Sequence, residues 1–298
     1  FFAWVQTQKI SLSQILAEYK TADKNYLKAL QFSKATNATE QEEAANKLAL
    51  QQFLIVEKNI EEIKNDSLQF FTAFKIGELF HYFDSTDKAL EFYQKAIHIK
   101  PRSVISDSFL FKPSLYSGSI YYAKNNFDSA LYYFKEAETI QDKYNSKILE
   151  GERLYNSLGA IYYETGNYKQ AKNYFEKAAS VLPRSHPYYK DLYVNYNSNL
   201  ASVLIKLENY KEAQKIYDTL LKLGVATNEI YHNIGTIQLA LHQPSKAIYF
   251  FKKINYTNSF RVRLFNDLAA AFIEYGKPDS ARFYLQKALE ENALYFEN

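Results

Sequence analysis

The chain has 298 residues, 47% of them hydrophobic and 23% charged, with 36 basic and 33 acidic side chains and a formal net charge of +3. This is ordinary for a folded globular or solenoid protein, and so small a charge imbalance gives no basis for nucleic-acid or membrane-surface binding. With no cysteine and five histidines, none spaced i, i+3 or i+4 from another, it has no disulfide, no thiolate chemistry and no local metal site.

The 27 tyrosines and 22 phenylalanines stand against one tryptophan. Tyrosine joins a large apolar body to a polar tip and suits elements with one face buried and a wet rim.

In chain order, FFAWVQTQ (Phe1–Gln8) allows two readings. It is either the tail of a signal-peptide apolar region, making the protein exported or periplasmic, or an ordinary apolar start on a cytoplasmic protein. No stretch approaches the roughly 20 apolar residues that cross a bilayer. Residues 1–65 read as two long amphipathic helices, an N-terminal helical pair or degenerate capping repeat.

From residue 66 the chain repeats itself. Gly159 is followed by Ala171, Phe175, Ala178 and Pro183; Gly77 is followed at the same offsets by Ala89, Tyr93, Ala96 and Pro101. Gly118 and Gly235 start further copies, and Ala201 and Ala269 hold the glycine position in two more. The second-helix alanines fall at 89, 130, 171, 213, 247 and 281. The period therefore changes from 41–42 to 34 residues, a step close to two helical turns, which predicts lengthened helices presenting the same stripe.

Each copy reads as helix, turn, helix. In the third, Gly166 ends one helix in the left-handed conformation and Asn167 caps the next. Pro244 and Pro278 start second helices, while Pro101 and Pro183 follow them. Gly159, facing the small Ala171, is expected to let two helix backbones approach closely. "LGAIYYETGNY" lacks the G-x-x-x-x-G-K-[ST] of a phosphate loop, and there is no nucleophile elbow, HExxH or EF-hand loop. No enzyme chemistry and no cofactor follow from these residues.

The segment "LYNSLGAIYYETGNYKQAKNYFEKAASVLP" (Leu154–Pro183) resembles the tetratricopeptide repeat (TPR) family in its bacterial-type arrays, and the resemblance covers about residues 66–298. It implies an all-α fold, a right-handed α-α superhelix of about six repeats of 34–42 residues, and a non-catalytic scaffold that holds a peptide or protein segment in its concave groove. The groove would be lined by the free face of each first helix. This gives Phe74, Glu78 and His81; Leu115, Ser119 and Tyr122; Arg153, Asn156 and Tyr163; Asn195 and Ser198; His232; and Arg263 and Asn266. Amides and hydroxyls on that face suit a peptide backbone, and aromatics suit its apolar side chains.

The groove lacks the lysine–asparagine pattern of the family's carboxylate clamps. Its mixed charges lack the electropositive stripe that nucleic acid requires. Within the Tyr162–Tyr163 pair, Tyr162 is expected to face its own second helix and Tyr163 the groove. With no methionine at position 1 and "ENALYFEN" starting something it does not finish, the segment reads as part of a longer polypeptide with a covalent neighbour domain. The alternative function is then the regulatory or sensor arm of a bacterial enzyme or signalling protein: a caspase-like (CHAT) peptidase, a histidine kinase or a transcription regulator.

Overall fold

Fourteen α-helices and no strand make up the described residues of the computed structural model, which are 11–33, 39–60, 65–99, 106–144, 150–255 and 260–296. The helices are α1 (Leu12–Phe32), α2 (Thr39–Ile60), α3 (Asp66–Tyr82), α4 (Thr86–His98), α5 (Phe111–Ala123), α6 (Phe127–Lys143), α7 (Gly151–Glu164), α8 (Tyr168–Val181), α9 (Tyr189–Lys206), α10 (Tyr210–Lys222), α11 (Asn228–Ala240), α12 (Pro244–Phe251), α13 (Arg261–Glu274) and α14 (Pro278–Phe296). They form two compact units, Phe1–Glu150 and Gly151–Asn298. The fold is an α-α solenoid of helix–turn–helix pairs. Readings placed on Phe1–Gln8 and Pro101 lie outside the described residues. Residues 291–296 of "ENALYFEN" continue α14.

One backbone solution closes all six pairs from α3 to α14. Asp84, Asn125, Gly166, Glu208, His242 and Gly276 all have positive φ, between 53° and 77°, and all lie seven residues after the glycine or alanine anchor. The next residue's N–H reaches back five positions, as in Ser85 to Phe80 O (2.9 Å), Asn126 to Tyr121 O (2.9 Å), Asn209 to Leu204 O (2.8 Å) and Lys277 to Phe272 O (2.9 Å). This bond satisfies a carbonyl that the ending helix leaves unpaired. Only two of the six positions are glycine. Asn126 and Asn167 then cap α6 and α8 by accepting from Ser129 N–H (3.1 Å) and Gln170 N–H (3.4 Å). Pro244 and Pro278 open α12 and α14.

The anchor glycine makes room above all for a ring, which the expectation of a facing alanine leaves out; on Gly77 the alanine is a neighbour as well, with Ala89 O 3.3 Å from an added Cβ. A Cβ on Gly159 would lie 2.6 Å from Phe175 Cδ1; on Gly118 and Gly235 it would meet Phe134 and Phe251 as closely, and on Gly77 Tyr93. These rings are at most 2% exposed. A second aromatic contact, twelve residues long, ties the same helices: Phe80 stacks on Phe92, Tyr121 on Tyr133, Tyr162 on Tyr174 and Phe272 on Tyr284, at 5.4–5.7 Å. Offset aromatic pairs of this kind add about 0.5–1.5 kcal/mol beyond area burial.

In the α8–α9 repeat the longer period is mostly lengthened helix, as expected: α9 starts twelve residues before Ala201 and α8 ends ten after Ala171, whereas α11 starts seven before Gly235 and α10 ends nine after Ala213; the connection is longer by two residues. In the first unit, α2 buries Ala49, Phe53 and Val56 at the same 4 and 3 spacing as Ala171, Phe175 and Ala178 in α8. The N-terminal pair thus shares the packing of the later ones. No helix among the described residues is long and apolar enough to cross a membrane.

Candidate functional site

In the first unit, the face shared by α1, α3 and α5 carries a mixed ionic network. Tyr26 Oη–H donates to Glu78 Oε2 at 2.8 Å. Lys75 pairs with Asp23 and lies over the Tyr19 and Tyr26 rings at 5.3 and 5.2 Å. Lys112 pairs with Glu150 at 2.9 Å, and Tyr116 donates to the same carboxylate at 3.3 Å. Each lysine is already matched by its own carboxylate. Burial therefore holds Glu78 above the usual carboxylate range, despite the opposing hydrogen bond from Tyr26 and the attraction of Lys112 and Lys75.

The sign of that shift makes a prediction. A carboxyl whose folded pKa is raised costs stability above its ordinary pKa of 4.5 and ceases to cost it as pH falls. Glu78→Gln, which keeps an acceptor for Tyr26, should leave stability at pH 7 unchanged or raise it by up to about 1 kcal/mol. Urea unfolding at pH 7 checks this, and a loss of stability would contradict the assignment.

Around Glu78 the expected residues divide by burial. Phe74 and Ser119 are half-buried, and Ser119 bonds back to Leu115 O at 3.0 Å. His81 Nδ1 lies 3.3 Å from Tyr93 Oη. Leu115 is wholly buried, so its side chain offers nothing to a ligand. Tyr122 packs against Phe127 at 5.7 Å.

In the second unit an amide row links α7 and α9. Asn199 Nδ2 donates to Asn156 Oδ1 at 2.9 Å and lies 3.4 Å from Asn195 Oδ1. Asn195 is exposed and Ser198 half-buried. They line a cleft of about 570 Å³ between α9 and the loop entering α11, together with Lys190, Asp191, Val194, Asn199, Val225, Ala226, Thr227, Glu229 and Ile230.

Tyr162 stacks on Tyr174 of its own second helix. Tyr163, half-buried, meets Tyr168 edge-on at 5.6 Å, and burial raises its phenol. Arg153, Arg263 and Asn266 are exposed. His232 is buried with its Nε2 2.7 Å from Asp267 Oδ2 and its ring edge-on to Phe260 at 5.0 Å. It fills the interior of the α11–α13 contact, with its ring against Phe251 and Phe260 and its Nε2 engaged by Asp267.

Several participants were not expected from sequence, among them Lys75, Tyr116 and Glu150 of the first unit's network. Tyr26 and Asp23 come from more than 50 residues away, which no local pattern announces. Asn199 carries a usable signal, since Asn195 and Asn199 stand four apart on one helical face. Among the described residues, no group of three or more His, Asp or Glu side chains is placed to hold a metal ion.

Repeated helix pairs with a shared turn geometry and a small–aromatic contact define a helical repeat scaffold. Residues 114–184 and 194–223 each match the tetratricopeptide repeat family, and the chain is a tetratricopeptide repeat protein. Such repeats are generally non-catalytic interaction modules and imply a protein partner.

Among solved structures, the apo form of RapI is similar with TM-score 0.56, 14% identity, and coverage of 96% of this chain and all of that one. Pseudomonas aeruginosa pilF gives TM-score 0.52 at 16% identity over 79% of this chain and all of that one. YrrB, described as a TPR protein with an unusual peptide-binding site, gives TM-score 0.52 at 15% identity over 76% of this chain and 95% of that one. At these identities the likeness concerns the fold. No curated protein matches by sequence.

Proposed function

We propose that this protein is a non-catalytic scaffold that binds an extended polypeptide segment on the first-helix face of its second unit, at the cleft between α9 and the loop entering α11. The observation that carries this reading is the cleft itself. Asn195, Ser198, Asn199 and Thr227 bring amide and hydroxyl groups to one concavity of about 570 Å³, against walls of Val194, Val225, Ala226 and Ile230. An extended peptide has one backbone donor and one acceptor per residue, which an amide can meet in pairs, and small aliphatic side chains would fill the walls. Lys190, Asp191 and Glu229 at the rim carry both signs, so charge adds selectivity along the segment more than raw affinity. Asn156 and Tyr163 extend the same face along α7.

Random 12-residue peptides selected by display on the intact chain and resynthesised with a fluorescent label are the probe. Asn195→Ala with Ser198→Ala should weaken their binding by about tenfold or more, with helicity and melting unchanged. Binding by anisotropy that ignores both this pair and Asn156→Ala with Tyr163→Ala would sink the groove assignment.

A further inference from the structure

The face shared by α1, α3 and α5 in the first unit builds one site for a cation and fills it from its own chain. Lys75 Nζ lies 5.3, 5.2 and 5.7 Å from the centres of the Tyr19, Tyr26 and Phe53 rings, and it pairs with Asp23. Rings and a carboxylate are what a partly desolvated cation needs, the rings through their quadrupoles and the carboxylate through its charge.

Three residues on, Glu78 brings the same equipment without a lysine of its own. Its Oε2 accepts from Tyr26, whereas Oε1 accepts no hydrogen bond among the described residues and, unlike Glu18 Oε2, is not sealed from solvent. Phe74 and His81, four residues before it and three after, lie on its side of α3. Tyr116 of α5 meets His81 edge-on at 6.1 Å. Glu78 and these three rings are all half-buried, so each keeps a part that a ligand can reach.

The charges around Glu78 do not balance. Lys75 is held by Asp23 and Lys112 by Glu150, which leaves three carboxylates to two lysines and one negative charge over. That charge sits where burial works against it, and a carboxylate kept at such a cost marks a functional site more than a structural one.

We propose that Glu78 and the rings of Phe74, His81 and Tyr116 form a second binding site of this protein, which takes an arginine side chain of a partner polypeptide. The site belongs to the first unit, shares with the cleft of the second unit only the scaffold reading, and stands if that cleft binds nothing. Arginine suits it better than lysine. A planar guanidinium lays its faces on rings, sheds hydration more readily than an ammonium and needs only one of its N–H donors to reach Oε1. The incoming cation neutralises Glu78 without displacing Lys75 or Lys112 from its own carboxylate. An acidic side chain would meet repulsion there, and an apolar one would leave the carboxylate buried and unpaired.

Saturation-transfer NMR on the peptide acetyl-Gly-Ser-Arg-Ser-Gly-amide, mixed with the intact chain, should show saturable binding with a Kd of about 1 mM or tighter. The twin with citrulline, which keeps the shape and loses the charge, should bind at least about tenfold more weakly, and the lysine twin should also bind more weakly. Glu78→Gln, which keeps an acceptor for Tyr26, should weaken the arginine peptide about tenfold and leave the citrulline peptide unchanged, with the helical signal retained. Asn195→Ala with Ser198→Ala should change nothing here, so this site and the cleft fail separately. No saturable binding in the wild type, equal binding of arginine and citrulline, full binding by Glu78→Gln, or binding lost with the Asn195 and Ser198 substitutions overturns the site. Lysine binding as tightly as arginine overturns the choice of a guanidinium.

Discussion

Gly159→Leu should destabilise the second unit by about 1–3 kcal/mol, at the upper end of that range, with Gly159→Ala toward the lower. Alanine favours a helix over glycine by about 1 kcal/mol, so propensity alone predicts the opposite sign for Gly159→Ala. Packing decides, because the added Cβ would sit 2.6 Å from Cδ1 and 2.7 Å from Cε1 of Phe175, a ring only 2% exposed. Such a ring yields only if α7 and α8 separate. The α9–α10 pair already holds Ala201 opposite buried Tyr217, which shows that a methyl can be accommodated when the helices are built around it. Chemical unfolding of both variants checks the ordering, and Gly159→Ala with Phe175→Leu should recover part of the loss. An unchanged midpoint in Gly159→Leu would break the packing account of the anchor.

The second large effect is alkaline. Tyr217 is wholly buried; Asn233 Nδ2 donates to its Oη at 2.8 Å and Ser202 lies at 3.5 Å. Burial pushes its phenol up from the ordinary 10.0 to about 12, against the opposing hydrogen bonds from Ser202 and Asn233. Because the folded value is the higher one, the stability it contributes is intact below pH 10 and drains away as pH rises toward 12. The loss amounts to on the order of 2–3 kcal/mol for a shift of this size. Tyr26 in the first unit is displaced in the same direction, by burial first and by Glu78 second. Unfolding free energies measured between pH 8 and 12 should fall for the wild type and fall less steeply for Tyr217→Phe, in which Tyr26 still contributes. That variant should itself lose about 1–3 kcal/mol at neutral pH, because Asn233 loses its acceptor. A wild-type curve flat across this range would show that the phenol ionises without cost.

The repeat was legible because its spacing is one-dimensional: anchor, alanine, ring and second alanine recur along the chain, and all fall on helices as expected. The ring as the glycine's true neighbour was not legible, since offsets of twelve and sixteen residues both cross the turn and only the packed pair distinguishes Ala171 from Phe175. Of the six left-handed turn residues Gly166 was legible, but Asp84, Asn125, Glu208 and His242 were hidden for another reason: composition points to the left-handed region reliably only for glycine.

The groove face was only partly readable. Helical phase places Leu115 and His232 on the same stripe as Ser119 and Asn266, yet packing of the adjacent helix buries the first two. The first unit's network joins residues such as Tyr26 and Glu78, 52 positions apart, and rests on stacking that no local pattern encodes.

The shared corner has a mechanical meaning. Within each pair, a backbone hydrogen bond across the turn and the aromatic contacts between helices make two helices one stiff body. Between pairs of the second unit, the polar ties among the described residues include side-chain bonds such as Asn199 to Asn156 and His232 to Asp267. A pull along the unit would therefore be taken up in the seams between bodies, stretching it like a spring of rigid links before any link comes apart.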